Sequence, residues 1–185
     1  MRTTIAFLGL IASCQAGQIE IYSRLGLLND QTLSTVAVTP HHLWQPNHPG
    51  GSQAVWVAHL ATGVGDQYFQ PATSPAPALE VYDFFIALVP GVLTLRVWAD
   101  NTAAVLLDGE VLYQPNFTED ICAAGPIGCE PAEYGLVTTP FGVGAHRLEF
   151  HVYQAAGALD NQQNPFGLLY TGAATWDAVK EPVPV

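Results

Sequence analysis

The stretch "PHHLWQPNHPGGSQ", residues 40–53, places three histidines, one tryptophan and one asparagine within a single connection. These types suit saccharide binding. An indole face lies against the C–H surface of a sugar ring, while imidazole and carboxamide groups meet the hydroxyls at its edge. His42, Trp44, Asn47 and His48 are therefore the candidate carbohydrate-binding residues. Two other roles stay open: Trp44 capping a core with solvated histidines beside it, and a transition-metal site built from His41, His42 and His48. A second loop, "ALDNQQNPFG", gathers Asp160, Asn161, Gln162, Gln163 and Asn164, whose amides suit sugar hydroxyls and turns alike.

Hydrolytic chemistry has less to stand on. It needs a nucleophile beside a positioned base, or a pair of carboxylates. Ser23, Ser34, Ser52 and Ser74 lie in no nucleophile-elbow context, and Glu119-Asp120 sits in a loop beside a cysteine. The chain reads as non-enzymatic. In "CAAGPIGC", Cys122 and Cys129 are spaced for a disulfide closing a Gly-Pro loop, worth roughly 2–3 kcal/mol. The alternative, half of a metal site, has no second pair to complete four ligands.

Two acidic corners complete the inventory. Asp108-Gly109, between "AVLL" and "EVLY", is the signature of a type I′ hairpin turn, in which Asp108 turns the chain rather than holding a ligand. Asp100-Asn101 follows one strand and precedes another. Its side chains can cap backbone amides of the corner, or give oxygen ligands to a structural calcium.

The elements that must position these groups are strands. "QIEIYSRL", "LSTVAVT", "AVWVAHL", "ALEVYDFFIAL", "VLTLRVWA", "AAVLLDGEVLY", "YGLVTT", "HRLEFHVYQ" and "FGLLYTGAA" recur at short spacing, most of them separated by Gly, Pro, Asn or Asp clusters. No amphipathic helix interrupts them, so an all-β, antiparallel jelly-roll β-sandwich of one domain is expected. Parity assigns faces. Leu93, Leu95, Val97 and Ala99 point to the core, with Thr94, Arg96 and Trp98 opposite; Leu148, Phe150 and Val152 point in, with Arg147, Glu149 and His151 out. His146 then lies on the face opposite to Glu149 and His151, which argues against a cupin-type metal centre.

Composition bounds the partners. Sixteen acidic residues against five basic ones give a formal charge of -11, which repels nucleic acid and anionic membranes. "MRTTIAFLGLIASCQAG" has one arginine, an apolar run from Ile5 to Ile11 and small residues after it, the pattern of a secretory signal peptide. Residues 1–16 are the expected leader, 17–176 the sandwich and 177–185 a proline-containing tail. Cleavage before Cys14, with lipid attachment there, is the competing processing route. No segment of the mature chain reaches the roughly 20 apolar residues of a transmembrane helix. "QPATSPAPALE", residues 70–80, reads as an irregular crossing between sheets.

"RVWADNTAAVLLDGEVLY", followed by "GVGAHRLEFHVYQAAG" and "NPFGLLYTGAA", resembles the jelly-roll domain of secreted bacterial PEP-CTERM proteins, which is galactose-binding-domain-like. The strand around Trp56 is similar to the early tryptophan strand of that domain, and the likeness spans about residues 35–175. The resemblance implies an extracellular or cell-surface location. It also implies a sorting tail with a Val-Pro-Glu-Pro-like motif, a membrane helix and a basic cluster, from which this chain departs by stopping at "KEPVPV". The expected function is non-enzymatic carbohydrate binding in an extracellular matrix or at the cell surface, with a glycan as partner. The alternative is a structural subunit that self-assembles into a filament or surface layer through sheet edges near its ends.

Overall fold

The computed structural model describes residues 16–61, 76–117, 127–154 and 166–178. The expected leader before residue 16, Cys122, the pair Glu119-Asp120, the loop around Asp160–Asn164, most of the 70–80 crossing and the last seven residues of the tail lie outside them. The strands are β1 (Gly17–Tyr22), β2 (Leu28–Asn29), β3 (Val36–Ala37), β4 (Val57–Ala58), β5 (Leu79–Ala87), β6 (Gly91–Asp100), β7 (Thr102–Leu107), β8 (Glu110–Tyr113), β9 (Gly135–Phe141), β10 (Gly144–Tyr153) and β11 (Gly167–Trp176).

They form two antiparallel sheets. In sheet A, β11 pairs with β6 on one side, and β9 lies beyond β6. On its other side β11 pairs with β1 over its C-terminal half and with β4, backed by β3, near its start. Sheet B runs β2-β5-β10-β7-β8. Set aside the two-residue strands and the orders are β1-β11-β6-β9 and β5-β10-β7-β8. This is the interleaving of two Greek keys that defines a jelly roll. The fold is thus the antiparallel jelly-roll β-sandwich expected from the strand pattern.

Alternation makes the interior. β5 buries Leu79, Val81, Phe85 and Ala87, β6 buries Leu93, Leu95 and Val97, and β10 buries Leu148, Phe150 and Val152. One polar side chain breaks the sequence of apolar inward positions. Asp83 of β5 points between the sheets, where its carboxylate accepts from Arg24 Nη1 at 2.9 Å and Nη2 at 2.8 Å, and from the Tyr170 hydroxyl at 2.8 Å. Tyr170 belongs to β11 and Asp83 to β5, so this cluster ties sheet A to sheet B along one edge. A buried carboxylate is tolerable there because every donor converges on it.

Two segments expected to be full strands are not. "LSTVAVT" and "AVWVAHL" contribute only β3 and β4. Val38 N still donates to Trp56 O across the two segments, but Val55 N turns to Ser23 O and Trp56 N to the Asn47 side chain, groups outside both segments. The outer edge of sheet A is β9, whose Pro140 is admissible there because an edge strand needs donors on one side only.

Candidate functional site

Residues 40–53 fold into a plug over one end of the sandwich. The Trp44 indole is 3% exposed, packs 4.3 Å from the Trp56 ring and donates from Nε1 to Asp100 Oδ2 at 2.8 Å. Gln45 N donates to Cys129 O, and Trp56 Nε1 to Gln45 O. Trp44 therefore has no face open to a sugar, which corrects its assignment as a stacking platform. Its size and its paired indole N–H are what make it a lid for the core.

The other three candidates are not gathered around it. Asn47 accepts the Trp56 amide at 2.8 Å, so its carboxamide oxygen is committed to shaping the loop. His48 sits in the left-handed region, at φ 63, and its Nδ1 donates to Ser52 O at 3.1 Å. His42 is exposed and lies against His41 with ring centroids 4.1 Å apart. Among the described residues no group of three His, Cys, Asp or Glu side chains is arranged to hold a metal ion.

The two acidic corners have different surroundings. Asp100 is fully buried, and burial pushes its carboxyl up to about 7 although the Trp44 N–H acts to lower it. Near neutral pH it is only partly ionised. A hard cation needs six to eight oxygen ligands at short range. Here Asp100 Oδ2 accepts from the Trp44 N–H, and no group of three carboxylate, His or Cys side chains gathers at the corner among the described residues, so it does not match a structural calcium site. Asp108 has φ 53 and Gly109 φ 86, the two positive values a type I′ turn requires, and the hairpin between β7 and β8 forms as expected. The Asp108 carboxylate accepts from Arg147 N at 2.8 Å and faces His146 Nδ1 at 2.7 Å, while His146 Nε2 faces Gly142 O at 3.0 Å.

Cys129 is buried and disulfide-bonded; Cys122, its expected partner, lies outside the described residues. His146 points inward and stacks on Phe85, whereas Glu149 and His151 point outward, as parity indicated.

A groove lies elsewhere, on the outer face of sheet A. Residues directly opposite in an antiparallel ladder share a face. The registers thus align Tyr22, Thr171, Arg96 and Leu136 in one row across β1, β11, β6 and β9. The next row is Glu20, Ala173, Thr94 and Thr138. At about 4.8 Å between strands, Tyr22 and Arg96 start roughly 10 Å apart, with only Thr171 between them. The floor is low where β11 meets β6, because β11 presents only Thr171 and Ala173 there, while Gly172 faces the core side with Ile21 and Leu95.

The turn Pro49–Gly51, with Ser52 and Gln53, forms one wall, braced by the Tyr22 hydroxyl donating to Gln53 Oε1 at 3.3 Å. The groove, open on its outer side, measures about 510 Å³. Along its wall the Arg96 guanidinium lies 5.1 Å from the Tyr134 ring centroid. Strand parity turns Thr94 and Arg96 outward but does not reveal this groove. Nothing in one strand reveals which residues stand beside it on the next.

No protein family and no curated protein matches the sequence. Among solved structures, the chain is similar to a native family 35 carbohydrate binding module from Clostridium thermocellum. That similarity has TM-score 0.42 and 6% identity, and covers 86% of this chain and 99% of that one. It is also similar to the catalytic domain of a GH87 alpha-1,3-glucanase in complex with tetrasaccharides, with TM-score 0.32 and 14% identity, over 92% of this chain and 30% of that one.

Proposed function

We propose that the protein binds saccharide in the groove on the outer face of sheet A, without hydrolysing it, and that it acts outside the cell. The observation that carries this reading is the row Tyr22–Thr171–Arg96 over a floor of small residues, walled by residues 49–53. A pyranose needs a shallow trough with an aromatic wall and planar polar groups at the rim. Tyr22 supplies the ring, Gln18, Glu20, Gln53 and Arg96 the planar groups, and Thr94 and Thr171 hydroxyls on the floor. A volume of about 510 Å³ falls within the usual range for small-ligand sites. Hydrolysis by the common route uses two carboxylates, and the groove lining holds one, Glu20.

An extracellular setting is supported by the leader-like first 16 residues and by the resemblance to secreted PEP-CTERM proteins. A Cys122–Cys129 bridge belongs to the same proposal, since such bonds persist in oxidising compartments.

The test is a glycan array followed by titration calorimetry on the hits. Binding should be lost in Tyr22→Ala and in Thr171→Trp, which fills the trough, with the unfolding midpoint of Tyr22→Ala close to that of the parent. Hits indifferent to both substitutions would refute the site.

A specific observation also favours the second reading, self-association. Phe84, Ile86 and Leu88 are 56%, 67% and 82% exposed, the first two on β5 of sheet B and the third just beyond it, and β5 is paired by β2 only at Val81 and Tyr82. Light scattering across a concentration series, with Phe84→Lys and Ile86→Lys as breakers, decides it. A concentration-independent monomer would remove this reading.

A further inference from the structure

Resting on the groove as a saccharide site, we infer that its ligand carries an anionic substituent, a carboxylate or a sulfate ester, which Arg96 receives. The chain has sixteen acidic and five basic residues, so an arginine here is surrounded by potential partners. Two of the described arginines have taken one: Arg24 forks onto Asp83, and Arg147 bonds Glu149 through Nε and Nη2. Arg96 forms no ion pair among the described residues. Its described contact is the Tyr134 ring, 5.1 Å away. Stacking of this kind holds the guanidinium plane while leaving its N–H groups to bond an incoming oxyanion, in two parallel bonds for a carboxylate.

The other charge lining the groove is Glu20, on β1, two strands across and one row along from Arg96. That puts roughly 10 Å between their strands, so the groove has a cationic wall and an anionic wall rather than a neutralised pair. The chain's net negative charge does not forbid an acidic ligand. At physiological salt the screening length is about 8 Å, so distant carboxylates are attenuated while a direct contact with Arg96 is not.

The experiment measures affinity of the full mature protein at physiological salt for matched polymers: a uronic-acid polysaccharide and its carboxyl-reduced form, and a sulfated glucan and its unsulfated parent. The expected result is at least tenfold tighter binding to one charged polymer than to its uncharged counterpart, and which polymer shows it assigns carboxylate or sulfate. In Arg96→Gln that ratio should fall to near one, with Arg96→Lys retaining part of it, and in Glu20→Gln it should rise. Equal binding to charged and uncharged forms, or a ratio unchanged in Arg96→Gln, overturns the inference while leaving the groove as a site for neutral sugars. Absence of binding by all four polymers above the Tyr22→Ala background overturns the groove reading with it.

Discussion

Asp100 and Asp108 stand at the two ends of β7, in sequence contexts that look equivalent: an apolar strand, an acidic residue, a small or polar neighbour and a turn. Their environments are opposites. Asp100 lies under the Trp44 lid with one neutral donor, and its carboxyl is displaced up to about 7 by burial. Asp108 is half-exposed; what burial it has acts to raise its pKa, but the Arg147 amide and His146 outweigh this and hold it below the usual carboxylate value. A turn aspartate is thus not one kind of residue. What separates the two is whether the rest of the chain covers them and whether the donor brought to them is charged.

Removing the lid breaks the comparison most severely. Trp44→Ala deletes a buried indole and strands the Asp100 carboxyl, and the expected loss is about 3–5 kcal/mol of unfolding free energy by urea denaturation. Trp44→Phe keeps most of the packing and isolates the hydrogen bond.

Asp100→Asn comes next and has the opposite sign. The unfolded carboxyl titrates near 3.8 and the folded one near 7, so the native chain holds the extra proton between those values and stability falls as pH rises through that window. The displacement corresponds to at most ~4 kcal/mol. Part of it is forfeited at every pH because the new amide lacks an acceptor, so a gain of ~1–2 kcal/mol over the parent is expected at pH 8, turning into a loss of ~2 kcal/mol near pH 4. A gain that persists at pH 4 would mean that the buried charge is not its source.

Asp108→Asn sharpens the other corner. Both ring nitrogens of His146 face acceptors, which requires the doubly protonated ring. Burial alone would lower the His146 pKa, but Asp108 and the Gly142 carbonyl raise it above 6.5. The histidine's contribution is complete below 6.5 and is lost as pH rises through its raised folded value. The aspartate's is complete above 3.8 and is lost as pH falls through its lowered one. Asp108→Asn should therefore cost about 1 kcal/mol between those limits and progressively less outside them. Asn tolerates the left-handed turn conformation, so the difference reports the charge. Urea midpoints from pH 3 to pH 9 give the profile.

Smallest of all is Tyr22→Ala on the groove wall. Its ring is half-buried against the core, so its expected effect on stability is about 0.5–1 kcal/mol, against complete loss of saccharide binding. A large stability loss would place Tyr22 with the scaffold instead.

Much of this architecture is legible from residues alone. The Asp108-Gly109 turn follows from the positive φ that Gly accepts, and the inward set Leu93, Leu95 and Val97 follows from the two-residue period of a strand. Both are local properties. The same parity placed Glu149 and His151 outside and His146 within. Asp83 is different: it is an inward carboxylate that becomes acceptable only because Arg24 and Tyr170 arrive from positions 59 residues before and 87 residues after it.

The candidate site divides along the same line. Trp44, His42, Asn47 and His48 formed a persuasive set because they are close in sequence, yet the fold turns Trp44 and Asn47 to the protein itself. Tyr22, Thr171 and Arg96 are scattered along the chain and share a row only because β11 returns between β1 and β6. By itself the sequence determined strand, turn and core, since these depend on neighbours one or two residues away. Only the tertiary structure decided which side chains meet, because register between distant strands is set by packing of the whole sandwich.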